Sequence, residues 1–152
     1  MIQQGSILIV DDEIGARESL RMILKPIYQV YTAINGQEAL ECIQKEKIDL
    51  VTLDLNMPGL TGIDILREIK KIDADIEVII ITAYGTLPNV REVNRLGAAS
   101  IISKPYNVSD VIAIVSKSFE RRNYNLEIKG LIGQIKCLRA MGENKEEESS
   151  RN

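Results

Sequence analysis

Histidine is absent from all 152 residues. That absence excludes Ser-His-Asp and Cys-His nucleophilic catalysis, a His-ligated metal, and a phosphohistidine carried by this chain. Cysteine is scarce: Cys42 and Cys137 lie far apart and form no CxxC pair. A zinc site or disulfide framework is therefore not expected, and a reducing cytoplasm is the default compartment. No apolar run approaches the ~20 residues a membrane-spanning helix needs. The opening Met1-Ile2-Gln3-Gln4-Gly5-Ser6 has neither a basic n-region nor a long apolar h-region, so no secretory signal is expected. A surplus of positive charge is missing too. The net charge is −3; residues 1–119 hold 12 basic and 16 acidic side chains, and residues 120–152 hold 7 and 6. Neither part carries a basic stripe, which leaves no electrostatic case for nucleic acid.

The composition, 45% hydrophobic and 27% charged, is that of a globular domain of common size with some residues to spare. Two kinds of apolar segment alternate along the chain. Short β-branched runs are Ile7-Leu8-Ile9-Val10, Val30-Tyr31-Thr32, Leu50-Val51-Thr52-Leu53, Val78-Ile79-Ile80-Ile81 and Ser100-Ile101-Ile102. Most show little alternation, as expected of parallel strands covered on both faces, while the more polar Val30 run reads as an edge strand. Between them lie helical stripes: Ala16, Leu20, Ile23 and Leu24, stopped by Pro26; Ala39, Leu40 and Ile43; Ile65, Leu66 and Ile69. Thr86-Leu87-Pro88 opens a fourth helix with Val90 and Val93 as its apolar positions and Gly97 as its stop. Val111, Ile112, Val115 and Phe119 form a fifth, capped by Asn107 or Ser109. Strands alternating with helices predict an α/β domain over 1–119, a doubly wound five-stranded parallel sheet with helices on both faces.

Beyond Phe119, Tyr124, Ile128, Leu131, Ile135 and Leu138 recur at intervals of 4, 3, 4 and 3. This heptad stripe predicts a C-terminal helical extension over 120–141, a coiled coil or signalling helix. Gly130 and Gly133 inside it each cost about 1 kcal/mol of helix stability relative to Ala. The stripe is amphipathic and must bury one face, so a homodimer is expected. Residues 142–152, polar and Glu-rich, are expected to form a disordered tail.

Acidic residues follow two of the apolar runs: Asp11-Asp12-Glu13 after the first and Asp54 at the end of the third. Ligands of open parallel sheets bind outside the carboxyl ends of the strands, where strand order reverses. With order 2-1-3-4-5, Asp11, Asp12 and Asp54 converge there. Crowded carboxylates repel one another, and a hard divalent cation with oxygen ligands, Mg²⁺ foremost, resolves that repulsion. The plainer alternative is that they only cap helices, which suits Glu13 better than the three aspartates. Thr82-Ala83 ends the fourth strand and Lys104-Pro105 the fifth, on the same rim. Taken singly, a strand-end Thr is usually a turn residue and a Lys a solvated charge. Together with a cation beside a carboxylate, a hydroxyl and an ammonium make a site for a phosphoryl group.

These residues resemble the receiver domain of bacterial two-component response regulators. The resemblance rests on Ile7-Leu8-Ile9-Val10-Asp11-Asp12-Glu13, on Leu53-Asp54-Leu55-Asn56-Met57-Pro58-Gly59-Leu60-Thr61-Gly62, and on Ile81-Thr82-Ala83, Gly97-Ala98 and Lys104-Pro105. It covers about residues 6–119 and implies a flavodoxin-like sheet. Residue by residue, it implies that Asp54 is the phosphoacceptor and that Asp11 and Asp12, with Asp54 and the backbone carbonyl of Asn56, hold Mg²⁺. Thr82, with Ala83 beside it, and Lys104 bind the phosphoryl group, and the peptide bond before Pro105 is cis. The implied partner is a sensor histidine kinase or a histidine phosphotransfer protein, and the chain catalyses only its own phosphorylation and dephosphorylation. One position departs from the pattern. Receivers usually carry Tyr or Phe three residues before the lysine, as part of the switch that follows phosphorylation; here that residue is Ile101. Tyr84 is another position at which receivers vary.

Two other readings compete. The chain could be the input module of a longer effector protein, since residues 120–152 are too few and not basic enough for a winged-helix or helix-turn-helix output. A haloacid-dehalogenase-type phosphatase also uses a nucleophilic Asp, Mg²⁺, Thr and Lys. It carries Asp-x-Asp on one strand end, however, whereas this chain has adjacent Asp11-Asp12 and a lone Asp54.

Overall fold

A computed structural model describes residues 4–59, 61–83 and 90–151. The β-branched runs form five parallel strands: β1 (Ser6–Val10), β2 (Gln29–Ala33), β3 (Leu50–Asp54), β4 (Glu77–Ala83) and β5 (Ser100–Lys104). Their order is β2-β1-β3-β4-β5, with the polar run at one edge. Helices fill the crossovers: α1 (Ile14–Leu24), α2 (Gly36–Lys45), α3 (Gly62–Ile72) and α4 (Val90–Arg95), with α5 (Val108–Ser150) following β5.

Side chains alternate across each strand, and both sets are apolar, so the sheet carries two cores. Leu8, Val10, Val51, Leu53, Val78 and Ile80 pack with Ala39 and Ile43 of α2, Ile65, Leu66 and Ile69 of α3, and Val93 of α4. Ile7, Ile9, Leu50, Ile79, Ile81 and Ile102 pack with Leu20 and Leu24 of α1 and with Val111, Val115 and Phe119 of α5. From the stripes read in the sequence, Leu20, Leu24, Ala39, Ile43, Ile65, Leu66, Ile69, Val93, Val111, Val115 and Phe119 are buried. Thr86-Leu87-Pro88 and Tyr84 lie outside the described residues.

Local chemistry sets the helix starts. Asn35 accepts the Glu38 N–H at 2.8 Å, Thr61 accepts the Asp64 N–H at 3.2 Å, and Asn107 accepts the Asp110 N–H at 2.8 Å. Each satisfies a donor that a helix N-terminus leaves unpaired. Asn107 rather than Ser109 therefore caps α5, and the Ser109 hydroxyl donates to the Asn107 side chain at 2.9 Å.

The chain divides after Phe119 into two units. The first holds the sheet and its helices. The second is helical, and here the structure corrects one expectation: residues 142–150 are helix, not a disordered tail. Glu143, Lys145, Glu146, Glu147 and Glu148 are good helix formers, and Arg151 falls three and four residues after Glu148 and Glu147. A polar composition excludes a packed core but not a solvated helix. Among the described residues no helix is long and apolar enough to cross a membrane.

Candidate functional site

The register of the sheet builds the site. Val10 is level with Leu53, so Asp11 emerges beside Asp54 as the first residue past β1. Asp54 is level with Ile81, which places Thr82 one step farther along β4, and Ala83 is level with Lys104. Strand order thus brings residues far apart in the chain to one rim.

Short hydrogen bonds then aim the carboxylates. Asp11 Oδ1 accepts the Glu13 N–H and Asp54 Oδ1 accepts the Asn56 N–H, both at 2.9 Å. Each aspartate thereby turns its own chain two residues on, a habit of this side chain. The Asp11 backbone is held as well: its N–H donates to the Ala33 carbonyl at 3.1 Å, and its carbonyl accepts from Arg17 Nη1 at 2.9 Å. The loop after Asp54 is fixed by close approach. A Cβ at Gly62 would collide with Leu55, and Gly59 has φ +95°, a conformation that favours glycine.

The second carboxylate oxygens converge on Lys104. Its Nζ lies 3.3 Å from Asp11 Oδ2 and 3.6 Å from Asp54 Oδ2. Asp11 and Asp54 are only 2% and 4% exposed, whereas Asp12 is exposed. One oxygen from each of Asp11, Asp12 and Asp54 falls within 4.8 Å of the others. Carboxylates so close, partly cut off from water, suit a hard divalent cation, and this donor set can hold a metal ion.

The titration of the site follows from that crowding. Burial pushes the Asp54 carboxyl above its ordinary value; the Asn56 N–H and Lys104 pull it back, and Asp11 pushes it up again. Burial alone would lower the Lys104 ammonium, but Asp11 and Asp54 outweigh it and hold its pKa above the ordinary value. Burial also raises the Tyr106 hydroxyl.

Asp11, Asp12, Asp54 and Lys104 are thus together. Asn56 joins through its N–H, and Thr82 is fully buried at the end of β4 with the half-buried Ala83 after it. The Lys104–Pro105 peptide bond is cis. Ile101 does not belong to this cluster; it packs, half-buried, against the core that contains Ile80 and Val93. Sequence reasoning missed Arg17, which clamps the Asp11 backbone, and Tyr106, which shares a groove with Lys104, Pro105, Gly15 and Ala16. Arg17 lies one turn inside α1, where a basic residue reads as a solvated charge, so nothing in its spacing marks it.

Comparisons with known proteins give the family. Residues 7–116 match the family described as response regulator receiver domain. The chain belongs to that family. As a receiver it is similar to sporulation initiation phosphotransferase F of Bacillus subtilis (strain 168), with 45% identity over 112 residues, 73% of this chain and 90% of the relative. It is also similar to a probable transcriptional regulator, ycf27, of Cyanophora paradoxa, with 38% identity over 125 residues. Those residues are 82% of this chain but 52% of that protein. Among solved structures it resembles the CheY-like response regulator receiver domain protein from Methanospirillum hungatei JF-1. The TM-score is 0.76 at 28% identity, covering 80% of this chain and 98% of that one.

Proposed function

We propose that this receiver takes a phosphoryl group from a partner's phosphohistidine onto a carboxylate oxygen of Asp54. The observation that carries the proposal is the buried Asp54 carboxylate, bracketed by Lys104 and by the Asp11–Asp12 pair at the carboxyl end of the sheet. Asp11, Asp12 and Asp54, with the Asn56 backbone carbonyl, would hold Mg²⁺, which when bound neutralises the crowded anions and polarises the phosphoryl oxygens.

The chain's own residues do the rest. The partner's P–N bond breaks as a P–O bond to Asp54 forms; the imidazole leaves with the bonding electron pair and takes up a proton. Charge spreads over the phosphoryl oxygens in a loose transition state. The Lys104 ammonium, held charged by its two carboxylates, and the Thr82 hydroxyl meet those oxygens, with Ala83 beside them. The product is an acyl phosphate. Water later attacks its phosphorus and restores the carboxylate, so the chain catalyses only reactions of its own carboxylate. Readout follows from the new dianion, which biases contacts at the surface near Ile101 and α4.

The partner is a sensor histidine kinase or a histidine phosphotransfer protein, because this chain has no histidine of its own. The cytoplasm suits a chain whose Cys42 and Cys137 are free thiols. The chain acts as a homodimer. A second reading, input module of a longer effector, is favoured by the ycf27 relative, of which the chain covers 52%.

Labelling with acetyl phosphate, read by Phos-tag mobility, tests the assignment. Asp54→Asn abolishes the labelled band, while Asp11→Asn and Asp12→Asn weaken Mg²⁺ binding measured by calorimetry. Undiminished labelling of Asp54→Asn would sink the assignment.

A further inference from the structure

The second unit presents an apolar seam to solvent. Tyr124, Ile128, Leu131, Ile135 and Leu138 are between 36% and 67% exposed, on one continuous helix. Ile132 and Met141 widen the same face. A helix in water does not keep such a stripe uncovered at no cost. What covers it is written in the seam itself.

The spacing is that of a helix pair. With d to a as the step of four and a to d as the step of three, Ile128 and Ile135 fall at a, and Tyr124, Leu131 and Leu138 at d. A repeat averaging 3.5 residues keeps a seam facing a partner helix only if that partner has the same repeat. A β-branched residue at a with Leu at d selects two parallel strands over three or four. The flanking positions agree. In a parallel pair the g and following e' residues meet: Glu120 with Asn125, Glu127 with Ile132, Gln134 with Arg139, and Met141 with Glu146. None of these pairs sets like charges together. Gly130, Gly133 and Cys137 fall at c, f and c, off the seam, and a Cβ added at either glycine would meet open space.

We infer that residues 120–141 are the surface through which two copies of this chain pair, as a parallel two-stranded coiled coil in register. This deepens the homodimer in the proposed function and rests on it alone; phosphorylation at Asp54 stands or falls separately. The seam is short, so the pairing is reversible rather than permanent.

Cross-linking in the full-length chain tests it. In a Cys42→Ser, Cys137→Ser background, Leu131→Cys places a thiol at d and Ala140→Cys places one at f. Parallel pairing in register brings the two d thiols within disulfide reach and holds the f thiols on opposite outer faces. Mild oxidation is expected to link Leu131→Cys chains at least tenfold faster than Ala140→Cys chains. Ile135→Glu in the native seam is expected to raise the dimer dissociation constant at least tenfold by sedimentation equilibrium. Acetyl phosphate labelling of each variant confirms that its receiver is folded. Equal linking rates at d and f, a monomer at all concentrations, or an unchanged dissociation constant for Ile135→Glu would overturn the inference. So would linking only when Leu131→Cys chains are mixed with Ile135→Cys chains, which would mean antiparallel pairing.

Discussion

The rim of the sheet and the C-terminal helix break the usual partition of residues in opposite ways. At the rim, Asp11, Asp54 and Thr82 are buried. On the helix, Tyr124, Leu131 and Leu138 are exposed. Charged groups belong in water and large apolar ones out of it, so each region bears a cost, which at the rim Lys104 and backbone N–H groups offset in part. Each region suits a group of the character that it lacks: a cation for the carboxylates, an apolar surface for the seam. Elsewhere in the first unit, apolar side chains fill a core on each face of the sheet.

The largest effect short of losing the acceptor is expected at Lys104. It is the cation nearest Asp54 in the described site, at 3.6 Å, and it stands where phosphoryl charge develops. Lys104→Ala should slow labelling by acetyl phosphate by about 100-fold, the usual cost of removing one preorganised charge partner. A Phos-tag time course measures this. A rate within threefold of the parent would mean that Lys104 only balances the aspartates at rest.

The comparison predicts a gain of stability at the rim and almost no change on the helix when polarity is altered in the two regions. Burial and Asp11 hold the Asp54 carboxyl above its ordinary pKa, so its ionised form disfavours folding. Removing the charge with Asp54→Asn should raise the metal-free melting temperature at pH 7 by roughly 3 °C, or ~1 kcal/mol. The pH dependence has a definite sign. A carboxyl raised in the folded state carries no penalty below its unfolded value near ~3.9. The penalty grows as pH rises toward the folded value and is complete above it. The gain from Asp54→Asn should therefore vanish when melts are run below pH ~3.9. A gain that persists there, or a loss at pH 7, would show that the charge is not the cause. Leu138→Gln, already exposed, should change the stability of the dilute monomer by less than ~0.5 kcal/mol.

Much of this was legible in the sequence because strand-end chemistry and parallel topology are tightly linked. The β-branched runs announced the strands. Given the order 2-1-3-4-5, Asp11 and Asp54 have to meet, since neighbouring strands end at the same rim. The buried positions Leu20, Leu24, Ile65, Leu66 and Ile69 followed from period alone. Less legible were groups that act through the backbone. Arg17 holds the Asp11 carbonyl, and the Asn56 N–H holds Asp54, but backbone hydrogen bonds leave no pattern of residue types. The helix over 142–150 is not legible because low hydrophobicity reads as disorder, whereas Glu and Lys favour helix without a core.

The smallest effect concerns Ile101. It packs into the α3–α4 side core and has no planar ring to turn. In crystals of the chain with and without beryllofluoride, the Thr82 hydroxyl should move toward Asp54 while the Ile101 rotamer stays as it is. An inward rotamer change at Ile101 matching the shift at Thr82 would show that an aliphatic side chain can serve as the switch.

The central claim is that Asp54 carries the phosphoryl group. Its most direct test is to phosphorylate the chain in Mg²⁺, reduce the product with borohydride, and locate the modified residue by peptide mass spectrometry. An acyl phosphate is reduced to the alcohol, so position 54 should be found as homoserine, and only after phosphorylation. Reduction at another aspartate, or a phosphorylated residue that resists borohydride, would contradict the account.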